Sequence, residues 1–246
     1  MSPSLQHIVE GDHRHARNIA RNAARHPIET LEFFGLRADM CVLEILPAMG
    51  WYTEILAPYL ADQGRLYVAH FSPDGILPYM PKVLEMFEER IATEPQTFGR
   101  VITRHINPPH EVTIAPADSI DLALTFRNVH NWIMADAEHD YFNTFFNAIK
   151  PGGTLGVVEH RAKPDADMQS MRTTGYVTEA YTIEIAERAG FELVASSEIN
   201  ANPHDTADHP DGVWSLAPFL RSGKEEPYLS IGESDRMTLK FRKPVR

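Results

Sequence analysis

Seven short apolar runs, separated by segments with helical periodicity, most constrain how this chain folds. Each run has the length of a β-strand. Strands that alternate with helices at this spacing predict βαβ units and an α/β fold, with a mostly parallel seven-stranded sheet and helices on both faces. The last run alternates in polarity, which predicts an edge or near-edge strand with one wetter face. The runs are Met40–Leu46, Arg65–Phe71, Val101–His105, Asp121–Phe126, Thr154–Glu159, Phe191–Ala195 and Arg236–Arg242.

The helical segments divide the chain into an N-terminal extension and one α/β domain. Residues 1–38 are predicted to form a helical extension, and residues 39–246 to form the domain. A helix over Asn18–Phe34 is expected to be interrupted at Pro27. In the domain, Pro58 is expected to end or kink the first helix, and the turn Lys150–Gly153 to end the third. The helices of the domain are predicted over Tyr52–Leu60, Lys82–Ile91, Ala135–Ile149 and Thr178–Ala189.

Composition excludes several classes of function. The chain has 246 residues, a formal net charge of −11 and one cysteine. One cysteine excludes an intrachain disulfide and a cysteine-rich zinc site. The negative charge argues against nucleic acid as a partner, because phosphate binding needs a basic surface. The basic stretch His13–His26 is interpreted as the polar face of a short helix. No apolar run reaches 18 residues, so we expect no membrane association and a cytoplasmic location.

The turn after the first strand is a weak signal for a ligand site. In parallel α/β sheets, ligands bind at the carboxyl ends of the strands. The first strand runs through Glu44 into Pro47-Ala48-Met49-Gly50, just before a helix. Backbone N–H groups at a helix N-terminus can face polar groups of a ligand. With one glycine, however, this stretch also fits an ordinary βα turn, so by itself it leaves cofactor binding open.

Polar and aromatic side chains follow the fourth strand. Asn128, His130 and Asn131 are expected at the mouth of the sheet, beside Trp132. An imidazole can take up a proton at neutral pH, so His130 is a candidate general base. The alternative is that the Asn and His residues cap the next helix while Trp132 packs in the core.

Three ionisable residues follow the fifth strand. Glu159 and His160 are interpreted as a pair in which the carboxylate fixes the imidazole tautomer. The alternative is a salt bridge of Arg161 that stabilises the loop. Tyr176 and Glu179 are expected to close over this site.

The long segment Asn200–Leu220 is expected to be a functional loop. It contains residues with metal-ligand chemistry, but their spacing matches no metal template, so no metal site is predicted. Asp235 and Arg236 are expected to pair and pin this loop, and the alternative is that they help to shape the substrate pocket. The residues with metal-ligand chemistry are His204, Asp205, Asp208 and His209.

Six stretches resemble the class I S-adenosylmethionine-dependent methyltransferases, and within them a group described as predicted methyltransferases. These stretches cover most of the chain from about Thr30 onward, and they are GWYTEILAPYL (50–60), LTFRNVHNW (124–132), KPGGTLGVVEHRA (150–162), GYVTEAY (175–181), SEINANPHDT (197–206) and GESDRMTLKF (232–241). The resemblance implies a Rossmann-like fold with S-adenosylmethionine as cofactor. It also implies that the loop after strand 1 holds the methionine part and that the end of strand 2 binds the ribose. The cofactor-binding residues expected from it are Glu44, Pro47, Ala48, Gly50, Tyr52, His70, Phe71, Phe126 and Asn128.

Two positions depart from the superfamily. The family's loop reads Pro-Gly-Gly-Gly, whereas Ala48 and Met49 stand here in place of two glycines. Alanine at a position that needs positive φ costs about 1 kcal/mol, and methionine adds bulk. His70 stands where the superfamily has an acidic residue, and a neutral imidazole accepts only one hydrogen bond. Weaker or altered cofactor binding is therefore expected.

The expected function is methyl transfer from S-adenosylmethionine to a small-molecule acceptor. His130 and His160 are the expected catalytic residues, as base or for substrate positioning, with Glu159 as orienter. Substrate contacts are expected from Asn131, Trp132 and Tyr176. The alternatives are a methyltransferase fold that has lost or repurposed its cofactor site, a non-catalytic binding protein, and metal-assisted hydrolysis by the His/Asp loop. The oligomeric state stays open, with a homodimer as one option.

Overall fold

Seven strands form one sheet in a computed structural model that describes residues 4–74, 79–223 and 226–245. The strand order is β3-β2-β1-β4-β5-β7-β6. Neighbouring strands are parallel except that β7 is antiparallel to both β5 and β6. The predicted seven-stranded, mostly parallel sheet is confirmed. The strands are β1 Cys41–Ile45, β2 Arg65–Phe71, β3 Val101–Ile106, β4 Ile120–Phe126, β5 Ile149–His160, β6 Glu192–Ser197 and β7 Arg236–Arg242.

Helices connect the strands and cover both faces of the sheet. Local sequence explains several of their ends: Pro27 occupies the first turn of α4, and Gly35 ends that helix with φ of 84°. Thr178 caps α11 by accepting a hydrogen bond from the Tyr181 N–H. In the described parts of the chain the helices are α1 Leu5–Val9, α2 Ala16–Ile19, α3 Asn22–Arg25, α4 Pro27–Phe34, α5 Thr53–Leu60, α6 Met80–Thr93, α7 Pro95–Phe98, α8 Val129–Met134, α9 Glu138–Ala148, α10 Met168–Thr174, α11 Glu179–Arg188 and α12 Tyr228–Ile231, with a 3₁₀ turn at Gly212–Ser215.

The sheet separates two hydrophobic clusters. Successive residues of β1 alternate between them: Val42 packs with the cluster of α1, α4, α5 and α7, whereas Leu43 packs with that of α8, α9 and α11. Phe34 of α4 lies directly against the sheet, because a Cβ added to Gly156 of β5 would approach its ring to 2.8 Å. The N-terminal extension therefore belongs to the hydrophobic cluster on one face of the sheet.

Several predicted boundaries are wrong. Lys150–Gly153 lies inside β5 and not in a turn, because β5 begins at Ile149 and pairs with β4 across an irregular register. The helix predicted over Ala135–Ile149 is α9 alone, and a separate helix, α8, precedes it. In contrast, α5 ends at Leu60 as predicted, two residues after Pro58.

Two further expectations concern the outer parts of the fold. β7 is the next-to-edge strand as predicted, but its expected wet face is wrong, because β5 and β6 flank it and most of its residues are buried. No helix within the described ranges is both long enough and apolar enough to span a membrane.

Candidate functional site

The loop after β1 has the backbone conformation of a glycine-rich turn with only one glycine. Leu46, Ala48 and Gly50 have φ of 47°, 51° and 76°. L-residues avoid this left-handed region at a cost of about 1–2 kcal/mol each. The expected strain at Ala48 is therefore present. A loop held in this way needs compensating contacts from its surroundings.

Two side chains from other elements hold the carbonyls of this loop. His70 of β2 contacts the Ala48 carbonyl through Nε2 at 2.9 Å, and Arg90 of α6 donates to the Met49 carbonyl at 3.1 Å. Arg90 is itself paired with the buried Glu54 of α5 at 2.7 Å. The loop is thus fixed between β2, α5 and α6.

His70 is fully buried, and both of its ring nitrogens are engaged. The Phe71 N–H donates to Nδ1 at 2.8 Å, so the proton of the neutral ring lies on Nε2, which donates to the loop. Burial lowers the pKa of His70 to about 4, which keeps the ring neutral at pH 7. In this structure no ring nitrogen is left for a ribose hydroxyl. His70 instead joins β2 to the loop.

Four other residues expected at the cofactor make contacts within the protein. Glu44 is buried and accepts a hydrogen bond from Thr53 at 2.6 Å; burial raises its pKa to about 8. Tyr52 and Phe126 stack on each other at 3.6 Å between ring centroids. Asn128 donates to the carbonyl of Ile45 at 3.0 Å, which ties the end of β4 to the end of β1.

Asn128 and Asn131 lie at the start of α8. Asn128 occupies the N-cap position but forms no side-chain cap, so the capping alternative is wrong for this residue. The half-buried Asn131 donates its backbone N–H to the Asn128 carbonyl at 2.9 Å.

His130, Glu159 and His160 meet at the carboxyl ends of β4 and β5. His130 Nδ1 lies 3.0 Å from Glu159 Oε1, and its backbone N–H donates to Oε2 at 3.2 Å. Glu159 is fully buried and also accepts the backbone N–H of His160 at 2.7 Å. The imidazole of His160 bonds instead to Ser234 Oγ at 2.6 Å. Glu159 therefore orients His130, and not the His160 ring as the sequence suggested.

The two aromatic residues expected at the site differ in position. Trp132 is buried in the core, where it stacks on Tyr141 at 4.5 Å, because α8 turns its side chain towards α9. Tyr176 is also buried and donates through its hydroxyl to Asp205, but its ring centroid lies 6.3 Å from that of His160, so it borders the site. The aromatic ring near His130 is that of Trp214, at 6.1 Å in an edge-on arrangement. The segment Asn200–Leu220 thus covers this site through Trp214. The sequence pattern did not predict this position for Trp214.

The ionisable residues of the covering loop are engaged in structural bonds. Asp205 accepts from Tyr176 and lies 2.8 Å from His209 Nε2, and Asp208 pairs with Lys163 at 2.8 Å. Among the described residues, one group of potential metal ligands lies within 4.8 Å of one another, and it is the buried set of His130, Glu159 and His160.

The residues around β7 pin the loop through different partners from those predicted. Asp235 and Arg236 do not pair with each other: Asp235 pairs with Arg161 at 2.9 Å and accepts the Asn202 N–H. Arg161 also pairs with Glu198 at 2.7 Å, so the salt-bridge alternative for Arg161 is confirmed.

A cavity of about 640 Å³ lies beside this network. Arg161, Lys163, Glu179 and Asp208 are among its lining residues, and all four are paired with one another or with neighbours. The cavity does not include His130 or the loop after β1. The group of His130, Glu159 and His160 and the loop after β1 therefore lie outside this cavity.

The strand order and the antiparallel β7 give this chain the fold of the class I S-adenosylmethionine-dependent methyltransferases. A methyltransferase of this kind from Aquifex aeolicus superposes with a TM-score of 0.59 at 14% identity, over 91% of this chain and 93% of that one. The N-methyltransferase NodS from Bradyrhizobium japonicum, solved with S-adenosyl-L-homocysteine, gives 0.56 at 15% identity, over 98% and 96%.

The same fold also carries other chemistry. The [4+2]-cyclase SpnF superposes with a TM-score of 0.63 at 16% identity, over 96% of this chain and 86% of that one. No protein-family model and no curated protein sequence matches this chain. At these identities the structural likeness establishes the fold, and the site must decide the function.

Proposed function

We propose that this protein transfers the methyl group of S-adenosylmethionine to a small-molecule acceptor, with His130 as general base. The observation that carries the proposal is the buried His130–Glu159 pair, with 3.0 Å between Nδ1 and Oε1. It lies at the carboxyl ends of β4 and β5, the edge where ligands bind in folds of this kind. A carboxylate accepts and cannot donate, so Nδ1 carries the proton and the lone pair of His130 is on Nε2.

These residues act on the acceptor. S-adenosylmethionine supplies an electrophilic methyl group on a sulfonium centre. His130 Nε2 takes the proton from an O–H or N–H of the acceptor as that atom attacks. Glu159 keeps the ring in the required tautomer and stabilises the imidazolium that forms. Asn131 at the start of α8 and Trp214 in the covering segment would contact the acceptor and limit access of water, which the half-burial of Asn131 and the 6.1 Å between the Trp214 and His130 rings support.

The loop after β1 fits the methionine part of the cofactor. Its left-handed residues reproduce the conformation that glycine-rich loops adopt, although two of them carry side chains. Pro47 to Gly50 would hold the cofactor through backbone groups. Met49 is 38% exposed, so it can move aside. His70 contributes by fixing this loop and not by binding the ribose.

Calorimetric titration with S-adenosylmethionine and S-adenosylhomocysteine tests the proposal. We expect both to bind at one site per chain. His130→Ala and Glu159→Gln should bind S-adenosylhomocysteine within about threefold of the unmodified protein. In an assay of S-adenosylhomocysteine release across a panel of phenols and amines, they should lose at least 100-fold in rate. His110→Ala, at an exposed histidine, is the matched control. Failure of both cofactor forms to bind would refute methyl transfer.

A second candidate is a non-methylating reaction on the same fold. It is favoured by the engagement of both ring nitrogens of His70, and by the occurrence of this fold in a cyclase. It predicts that a folded protein binds neither cofactor form, while His130→Ala still abolishes the biological activity.

A further inference from the structure

Four arginines converge around Glu233, and this one carboxylate pairs with three of them. Glu233 pairs with Arg21 at 2.6 Å, with Arg25 at 3.2 Å and with Arg236 at 3.3 Å. The fourth is Arg127, the first residue after β4. These arginines come from the N-terminal helices, the end of β4 and the start of β7. We call them the arginine cluster.

Burial makes this excess of positive charge costly. The side chains of Arg25 and Arg236 are only 4% and 3% exposed. Burial, together with the charge of Arg127, lowers the pKa of Arg25 and brings that of Arg236 to about 10. Buried charges without compensation are strongly destabilising, so one carboxylate leaves the cluster short of negative charge.

Among the described residues, Arg127 is the one arginine of the cluster that has no bonded partner. Across the described residues, its guanidinium forms no ion pair and no hydrogen bond, although its charge acts on Arg25, Glu233 and Arg236. It is half-buried, and it has a left-handed backbone with φ of 61°. Such strain is typical of functional sites. Nη2 of Arg21 is likewise buried without a hydrogen-bond acceptor. Guanidinium groups whose N–H donors lack an acceptor can bind an oxyanion.

The position of Arg127 relates the cluster to the reaction. It lies three residues before His130, and its charge also reaches His160, whose ring centroid is 5.2 Å from that of His130. A group bound at Arg127 would therefore place the rest of a small molecule beside His130. Trp214 would cover it from the other side.

The hydrogen bonds to Glu159 and the positive charges of the arginine cluster argue against a metal ion. His130, Glu159 and His160 have the ligand types and the spacing for a divalent cation. However, three N–H groups already donate to the Glu159 carboxylate. A divalent cation would also sit in the field of the arginine cluster, which repels it. An anion is favoured by the same field.

We propose that the acceptor carries an oxyanion, a carboxylate or a phosphate, that binds Arg127 and is held in the field of Arg25 and Arg236. That the bound molecule is the methyl acceptor rests on the proposed function, whereas the oxyanion site itself rests on the arginine cluster. It limits the substrate class to acidic small molecules.

Matched probes test the oxyanion site without knowledge of the substrate. Benzoate, phenyl phosphate and the neutral benzamide are titrated into the full chain, with the midpoint of thermal unfolding as readout. We expect benzoate or phenyl phosphate to raise the midpoint saturably by about 2–5 °C, and benzamide to have no effect. Whichever anion binds more tightly identifies the oxyanion. Equal effects of benzamide and both anions, or no effect of any probe, would overturn the inference.

Variants assign the site to Arg127. Arg127→Gln should weaken anion binding by about 10- to 100-fold, and Arg127→Lys by less, because it keeps the charge. Arg104→Gln, at an exposed arginine on β3, should bind like the unmodified protein. If Arg127→Gln binds the anion as well as Arg104→Gln does, Arg127 is not the site. Should Arg127→Gln fail to fold, Arg127→Lys carries the comparison.

Titration of the same variants with S-adenosylhomocysteine separates the two proposals. Cofactor binding that is unchanged in Arg127→Gln, with anion binding lost, supports both. Anion binding at Arg127 without cofactor binding in any variant would refute methyl transfer and leave the oxyanion site. Cofactor binding without a specific anion effect would refute the oxyanion site and leave the methyl-transfer proposal.

Discussion

The buried His70 makes a contribution to the free energy of unfolding that depends on pH. The ring is fully buried, its Nδ1 accepts the Phe71 N–H, and burial lowers its pKa to about 4 from the ordinary 6.5. The unfolded chain therefore binds a proton at a higher pH than the folded one. The stabilisation is complete above about pH 6.5 and is lost as the pH falls towards 4. The pKa difference corresponds to about 3 kcal/mol in total, of which about 2 kcal/mol is lost by pH 5.

The perturbation is His70→Gln, which removes the titrating group. Glutamine can still donate to the Ala48 carbonyl but cannot take up a proton. Free energies of unfolding are measured by urea denaturation at pH 7.5 and pH 5. The advantage of the unmodified protein over His70→Gln should shrink by about 2 kcal/mol between these pH values.

The comparison with His70→Gln is needed because Glu44 opposes this trend. Burial raises the pKa of Glu44 to about 8, so its contribution to stability grows as the pH falls from 8 to 4.5. That contribution is common to both proteins and cancels in the difference. The control is His110→Gln at an exposed histidine. A difference between unmodified protein and His70→Gln that stays constant within about 0.5 kcal/mol would refute the reasoning.

Four further substitutions test the loop and the packing. Ala48→Gly relieves a residue at φ of 51° and should add up to about 1 kcal/mol to the free energy of unfolding; combined with Met49→Gly it should tighten S-adenosylhomocysteine binding in a calorimetric titration. Glu54→Gln disrupts the pair with the fully buried Arg14 and should cost about 3 kcal/mol, which lowers the thermal midpoint by about 6–12 °C. Gly212→Ala places a Cβ 2.2 Å from the Thr174 carbonyl oxygen and should cost more than about 2 kcal/mol in urea denaturation.

Each of these substitutions has a control and an outcome that contradicts it. Weaker S-adenosylhomocysteine binding by the double glycine variant would show that the loop is already optimal. Glu192→Gln breaks a half-exposed pair with Arg242 and should cost less than about 0.5 kcal/mol. An equally small cost for Glu54→Gln would contradict a stabilising role for the buried Glu54–Arg14 pair. Gly232→Ala also has positive φ but open space around it, so a similar loss there would assign the effect to backbone strain and not to the clash.

Pattern alone predicted the strands and the mostly parallel sheet because apolar runs that alternate with helical segments are local signals. The apolar runs are strands in the structure, and the carboxyl ends of β1, β4 and β5 do meet. The errors occurred where a tertiary pairing overrode a local preference. Lys150–Gly153 has the composition of a turn, yet pairing of the long β5 with its neighbours keeps it in the strand.

The partners of the polar residues could not be predicted in the same way. Glu159 and His160 are adjacent in sequence, but successive side chains of a strand point to opposite faces, so the carboxylate meets His130 from the next strand end. Trp132 was expected at the site, and Trp214, more than 80 residues further on, lies there instead. The arginines of the basic N-terminal stretch were assigned to a polar helix face, whereas Arg21 and Arg25 converge on Glu233 over the end of the sheet.

The pattern of residues was enough to predict the α/β sheet, the edge of the sheet that carries the polar residues, and the unusual loop at Ala48 and Met49. Hydrophobic periodicity and chain connectivity are local properties, and they are sufficient for these conclusions. Three conclusions required the tertiary structure: Glu159 orients His130, His70 supports the loop, and Arg127 has no carboxylate partner among the described residues. These depend on side chains brought together from distant segments, where burial and the number of available partners determine which contacts form.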